Sequence, residues 1–213
     1  MPSVEQAQSW YLDDDPVHDF DHVMRVYRIA EKLALAEGAD LEIVCAAALL
    51  HDSVGSAPGN PGEARAEHHI LSAIFARQVL TEEGWAEERI QAVEHCIRAH
   101  RFRNKGEKPH TLEAQVLFDA DKLDVLGAIG AARTIAYAAL DGQPSYAEPS
   151  QQFLETGVKQ PGEPHSSYHE YLFKLRRVKE LLFTHTGRQI AEQRDAFLRA
   201  FYEQLQAECR GER

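Results

Sequence analysis

An apolar segment that ends in two polar side chains constrains the fold of this chain most. Residues 43–50 are apolar without interruption, and His51 and Asp52 follow them directly. A segment that is apolar on every side predicts a helix in the core of the protein. Burial of an imidazole and a carboxylate without a partner is costly, and both groups are good ligands for divalent ions. We therefore predict that His51 and Asp52 form the floor of a metal site.

The rest of the chain also shows helical spacing, and no stretch alternates in the way that is typical of strands. Apolar residues recur at three- and four-residue steps in most segments, so that one face of each helix is apolar. The expected fold class is therefore all-α. The predicted helices cover about 3–12, 19–37, 40–52, 65–83, 86–100, 111–124 and 126–140, followed by a pair within about 166–210.

Glycine and proline concentrate in residues 141–165, which predict a long loop. A loop of this length in a compact domain is usually a functional lid or a disordered segment. The chain has 213 residues, which is the size of one domain or of one domain with an appendage. We predict a single domain over 1–213, with a core at about 17–140, a lid-like loop at about 141–165 and a C-terminal helical pair at about 166–210.

Composition excludes some classes of partner. Asp and Glu number 34 against 23 Lys and Arg, and the net charge of −11 argues against binding a nucleic-acid duplex. A single nucleotide remains compatible with this charge, because a metal can hold its phosphates. Three distant cysteines and a start without a signal-peptide pattern predict a cytoplasmic protein. The sequence contains no run of about 18 apolar residues, which is the length that predicts a membrane span.

Three separate segments together resemble one family. His22 lies in His-Val-Met-Arg-Val, His51 and Asp52 end the apolar helix, and Asp121 lies in Phe-Asp-Ala-Asp-Lys-Leu-Asp. This order of His, His-Asp and Asp resembles the HD-domain superfamily of metal-dependent phosphohydrolases, over about residues 17–140. Residues 118–133 are similar to small bacterial members, some of which are nucleotide pyrophosphohydrolases. The resemblance implies an HD-domain helical bundle with additional C-terminal helices.

The resemblance also implies a metal site. Its ligands would be two imidazoles and two carboxylates, those of His22, His51, Asp52 and Asp121. Two imidazoles favour a transition metal, while the carboxylates keep manganese and magnesium among the candidates with iron, cobalt and nickel. Four protein ligands in an octahedral site leave two positions, one for a phosphate oxygen and one for an activated water. Asp119 and Asp124 are rivals of Asp121, and only the family pattern selects among them.

Further histidines and cations are candidates for roles beside the metal. The adjacent His51 and Asp52 are called the HD pair below. In some HD proteins, histidines that follow this pair bind a second metal, and in others they contact phosphate or move a proton. We assign such catalytic roles to His69 and His100, and we expect His68 to be exposed on its helix. Cations beside a metal suit a polyphosphate. The predicted substrate-binding residues are Arg25, Arg101 and Lys122, and Arg25 could equally pair with a carboxylate.

The sequence therefore predicts an enzyme that hydrolyses a phosphoanhydride or phosphoester bond of a small nucleotide-like substrate, by metal-activated water. The alarmone hydrolases and one type of nucleoside monophosphatase place an acid a few residues after the HD pair. Here the first acid after the pair is Glu63, which disfavours both activities. Two alternatives remain. One is a diiron oxygenase of the HD-related type, which requires a second metal, and the other is a non-catalytic nucleotide sensor. Among protein partners, the expectation is limited to a homodimer.

Overall fold

A computed structural model describes residues 1–11, 20–54, 62–101 and 106–213, with side chains left out at 62–66. These residues form ten α-helices and one 3₁₀ helix and contain no strand, which confirms the all-α prediction. The elements are α1 (Val4–Gln8), α2 (Phe20–Glu37), α3 (Leu41–Leu50), α4 (Gly62–Glu82), α5 (Glu87–Ala99), α6 (Leu112–Leu123), α7 (Gly127–Leu140), α8 (Gln151–Thr156), α9 (Ser167–Phe173), the 3₁₀ helix (Leu175–Leu181) and α10 (His185–Cys209).

Helix α3 is the centre of the first part of the fold. Asp40 caps its start, because the Asp40 carboxylate accepts hydrogen bonds of 3.1 Å from the backbone N–H groups of Glu42 and Ile43. All eight residues 43–50 are buried, as their apolar composition predicts. Helices α1, α2, α4 and α5 all contact α3. The last turn of α3, and His51 directly after it, therefore lie in the interior.

The neighbours of α3 show the predicted periodicity. Val23, Val26, Ala30 and Leu33 recur at three- and four-residue steps along α2, and all four are fully buried. Ile90, Val93 and Ile97 repeat the pattern on α5. Each helix therefore packs an apolar stripe against the core. This packing fixes the position of the candidate functional side chains on the helix.

The contacts divide the chain into two compact units. Unit 1 contains Met1–Asp121 and Leu182–Gly187, and unit 2 contains Lys122–Leu181 and Arg188–Arg213. In unit 2, α9 contacts both α7 and the 3₁₀ helix. The single domain over 1–213, with its lid-like loop, stays a prediction.

The segment at 141–165 carries more local structure than a loop. It contains α8, whose N-cap Ser150 accepts a hydrogen bond of 3.1 Å from the Phe153 backbone N–H. The C-terminal helical pair also differs from expectation, because α9 stops at Phe173 and a 3₁₀ helix separates it from α10. In the described ranges, no single helix is both long and apolar enough to cross a membrane, and α6 and α7 reach that threshold only as a bent pair.

Candidate metal centre

The HD pair, His51 and Asp52, lies buried just after the last turn of α3. Carbonyls in the last turn of a helix lack partners within the helix. Here the His51 Nδ1–H donates to the Ala48 carbonyl at 2.8 Å, and the Tyr11 hydroxyl donates to the Leu49 carbonyl at 2.8 Å. His51 is fully buried, and its Nε2 has no hydrogen-bond partner among the described residues. A buried lone pair of this kind is what a metal ligand requires.

Three side chains meet at this lone pair. The Nε2 atoms of His51 and His22 lie 3.6 Å and 3.8 Å from Oδ2 of Asp52, and the three ligand atoms are within 4.8 Å of one another. These separations are too long for good hydrogen bonds. Two ligands bound at about 2.1 Å to one ion lie roughly 3.0–3.6 Å apart. The three groups therefore fit a divalent metal better than they fit one another.

The predicted fourth ligand lies beside this trio. Asp121 on α6 places Oδ1 3.6 Å from Nε2 of His22. Its two rivals have other contacts: Asp119 accepts hydrogen bonds of 2.7–2.9 Å from the backbone of Phe183 and Thr184, and Asp124 pairs with Arg133. Asp119 is thus part of the anchor for the segment 182–187, while the role of Asp121 as a ligand stays a prediction.

The other carboxylate oxygen of Asp52 faces a second set of imidazoles. Its Oδ1 lies 3.1 Å from Nε2 of His68 and 3.5 Å from Nε2 of His100, and these three groups form a second candidate cluster. The His100 Nδ1–H donates to the Ile97 carbonyl at 2.6 Å, which directs Nε2 inward as in His51. Asp52 is therefore shared between two sets of histidines.

A comparison with known families agrees with this geometry. A family model described as HD domain matches residues 19–126, half of the chain. The chain belongs to the HD-domain family. The resemblance that the three segments predicted is thereby confirmed.

Relatives of this HD-domain chain cover nearly its whole length. It is 31% identical to the uncharacterized protein YpgQ of Bacillus subtilis, over 99% of this chain and 96% of the relative. The crystal structure of YpgQ in complex with ADP matches with a TM-score of 0.72 and 30% identity, and covers 97% of both chains. An HD-superfamily hydrolase from Bacillus thuringiensis matches with a TM-score of 0.69 and 29% identity, over 97% of this chain and 96% of the other.

The prediction that His68 is exposed is wrong. His68 is only 9% exposed and faces Asp52, whereas His69 is half-buried with its ring centroid 6.5 Å from that of His100. Successive residues of a helix point in different directions, so both histidines cannot face Asp52. Ser72 lies one turn after His68 on the same face of α4, and its Oγ accepts from the Val54 N–H at 3.1 Å. This face of α4 therefore packs on the chain just after the HD pair.

Burial and charge act in opposite directions on these groups. Burial by itself would raise the pKa of the Asp52 carboxyl, but the surrounding imidazoles of His51, His100 and His68 hold that pKa well below its usual range. Burial lowers the pKa of His51 to about 4, and it lowers the pKa of His69 to about 4. The HD-domain pair is thus a neutral imidazole beside a charged carboxylate, the protonation states in which both bind metal ions.

The predicted substrate-binding cations lie in different surroundings. Arg25 is partly buried on α2, three residues after His22. Arg101 follows His100, and its Nη1 lies 3.0 Å from Nδ1 of His68. Lys122 belongs to unit 2, whereas the candidate ligands belong to unit 1. Their binding of a substrate stays a prediction.

Proposed function

We propose that this HD-domain protein is a metal-dependent phosphohydrolase that acts on a small phosphorylated compound. The observation that carries the proposal is the buried Nε2 of His51, which faces Asp52 and His22 at metal-ligand spacing. The match to an HD-superfamily hydrolase from Bacillus thuringiensis over 97% of this chain supports the same reaction class.

In this proposal the four predicted ligands hold one divalent ion. His51 and Asp52 bind it from the end of α3, His22 binds it from α2, and Asp121 binds it from α6. The bound ion supplies a water of lowered pKa and positive charge beside a phosphate. Manganese, magnesium, iron, cobalt and nickel are the candidate ions.

Other side chains act on the substrate itself. His100 and His69 orient a phosphate oxygen or move a proton. Arg25, Arg101 and Lys122 contribute positive charge toward the phosphates, which suits a polyphosphate more than a single phosphate ester. We also propose that the protein is cytoplasmic and that it forms a homodimer.

A nucleotide is the proposed substrate class. The crystal structure of YpgQ holds ADP, and that structure covers 97% of this chain. A nucleoside triphosphate offers two phosphoanhydride bonds to the site, and the enzyme would release either phosphate or pyrophosphate. The nucleotide pyrophosphohydrolase activity is therefore the specific form of the proposal that an experiment should test first.

The experiment is a panel of nucleoside mono-, di- and triphosphates with manganese, magnesium, cobalt or nickel, scored separately for phosphate and pyrophosphate. We expect turnover of at least one nucleotide in the wild-type protein and none with Asp52→Ala. Asp141→Ala is the matched control, because Asp141 is exposed at the end of α7. Tight nucleotide binding without turnover would instead indicate a nucleotide sensor.

The second cluster favours one alternative, a diiron oxygenase of the HD-related type. Such an enzyme requires two ions, and Asp52 with His68 and His100 is where the second ion would bind. The two functions are separated by measuring whether turnover with iron consumes dioxygen. Hydrolysis that proceeds equally under anaerobic conditions contradicts the oxygenase.

A further inference from the structure

The two ring nitrogens of His68 have chemically different neighbours. Its Nδ1 lies 3.0 Å from Nη1 of Arg101, at the end of α5. Its Nε2 lies 3.1 Å from Oδ1 of Asp52, just after α3. Both separations are hydrogen-bond lengths, unlike the 3.5–3.8 Å that separates His22, His51 and His100 from the same carboxylate.

The chemistry of arginine decides the direction of these hydrogen bonds. A guanidinium group can only donate, so Nδ1 of His68 must accept and the ring proton lies on Nε2. That Nε2–H then faces Oδ1 of Asp52 at 3.1 Å. His51 and His100 have the opposite arrangement, because their Nδ1–H groups donate to the Ala48 and Ile97 carbonyls. Three histidines that surround Asp52 are therefore of two kinds.

We propose that Arg101 and His68 form a positioning pair for Asp52, and that His68 is not a metal ligand. Arg101 holds the His68 ring so that its N–H binds Oδ1, which leaves Oδ2 directed toward His22 and His51. The inference rests on the metal site of the proposed function, and it deepens it: the site holds one ion, with Asp52 oriented by a hydrogen bond from behind.

The burial of both groups would make the proposed hydrogen bond from His68 to Asp52 important. Asp52 is 7% exposed and His68 is 9% exposed, so little water is present to replace a lost partner. Partners that orient a metal ligand in this way typically contribute about 10- to 100-fold to metal affinity. Arg101 lies just after α5 and His68 lies on α4, and these two helices contact each other extensively. The pair therefore joins two packed helices to the ligand on a third.

Titration of the wild-type protein with manganese, monitored by calorimetry, tests the inference without any substrate. We expect one ion per chain. Arg101→Met and His68→Leu remove the hydrogen bonds, and we expect each to weaken manganese binding by about tenfold or more. Arg101→Lys and His68→Gln keep a donor at the same place and should recover much of the loss. Arg28→Met, at an exposed position on α2, is the control.

A spectroscopic measurement reports on the hydrogen bond itself. Nitrogen-15 NMR of the metal-free protein should show the His68 proton on Nε2 in the wild type and in Arg101→Lys. In Arg101→Met the preference of the proton for Nε2 should weaken, because the Arg101 donor to Nδ1 is lost. Circular dichroism of each variant establishes that it is folded before binding is compared.

The outcomes separate this inference from the proposed function. Two ions in the wild type and one in His68→Leu would make His68 a ligand and overturn the inference. Unchanged affinity in both Arg101→Met and His68→Leu would overturn it as well. A wild-type protein that binds no manganese contradicts the proposed function itself.

Discussion

Two clusters of histidine and carboxylate in this protein differ in how their polar atoms are paired. In unit 2, the Glu163 carboxylate accepts hydrogen bonds of 2.7 Å from the N–H and hydroxyl of Ser150 and 3.1 Å from Nε2 of His169. The Ser166 hydroxyl donates to Nδ1 of His169 at 2.7 Å. These four hydrogen bonds are of normal length, so the pairing of these side chains requires no ligand.

The cluster in unit 1 has the same residue types and the opposite character. Around Asp52 most separations are 3.5–3.8 Å, and the buried Nε2 of His51 has no hydrogen-bond partner among the described residues. Serine, histidine and glutamate in unit 2 superficially suggest a catalytic triad, yet Ser166 is fully buried and caps α9. The comparison shows that pairing distances distinguish a structural cluster from a candidate ligand site better than residue types do.

The largest effect should come from the HD pair. Asp52→Asn removes one charge and one ligand oxygen, and we expect nucleotide turnover with manganese to fall by more than about 100-fold, because a direct ligand should matter more than its outer partners. Glu163→Gln should leave turnover within about twofold of wild type. The measurement is initial rate against manganese concentration. Equal losses in both variants would remove the distinction between the clusters.

Metal addition should stabilise the protein only through the unit 1 cluster. At a manganese concentration about 100 times the dissociation constant, binding adds about 2.7 kcal/mol to the free energy of unfolding. For a chain of this size that raises Tm by roughly 5–10 °C. We expect the rise in wild type and in Glu163→Gln and its loss in His51→Gln, as measured by thermal unfolding with manganese or with a chelator.

A third carboxylate, that of Asp119, has a structural role and provides a further test of the comparison. A Cβ added at Gly187 would lie 2.5 Å from Oγ1 of Thr184 and 2.6 Å from Oδ2 of Asp119, and neither atom is free to move away. We expect Gly187→Ala to lower the free energy of unfolding by about 1–3 kcal/mol. Urea unfolding measures the change, and an unaltered midpoint would show that the anchor tolerates displacement.

The smallest effect should be the pH dependence of the unit 2 cluster. The backbone N–H of Ser150, with further donors from Gln160 and His169, lowers the pKa of Glu163 to about 2. An unfolded glutamate has a pKa of about 4.3. The stabilisation is therefore complete above about pH 5 and is lost as pH falls toward 2. The Tm difference between wild type and Glu163→Gln should shrink over this range, and a constant difference would contradict the assignment.

The sequence alone determined the parts that depend on local chemistry. Uninterrupted apolar residues at 43–50 required a buried helix, and its end had to bring His51 and Asp52 into the interior. The spacing of apolar residues on α2 and α5 determined which faces would be buried. The order of His22, His51, Asp52 and Asp121 was enough to indicate the HD-domain family, which the match over residues 19–126 confirms.

Only the tertiary structure decided which neighbouring residue points into the site. His68 and His69 are equivalent in the sequence, and the rotation of α4 about its axis, set by packing such as that of Ser72 near Val54, turned His68 toward Asp52. The contact of Arg101 with His68 joins residues 33 positions apart and leaves no local signal. Helix phase and long-range pairing depend on how the helices pack, and no single segment of the chain encodes that.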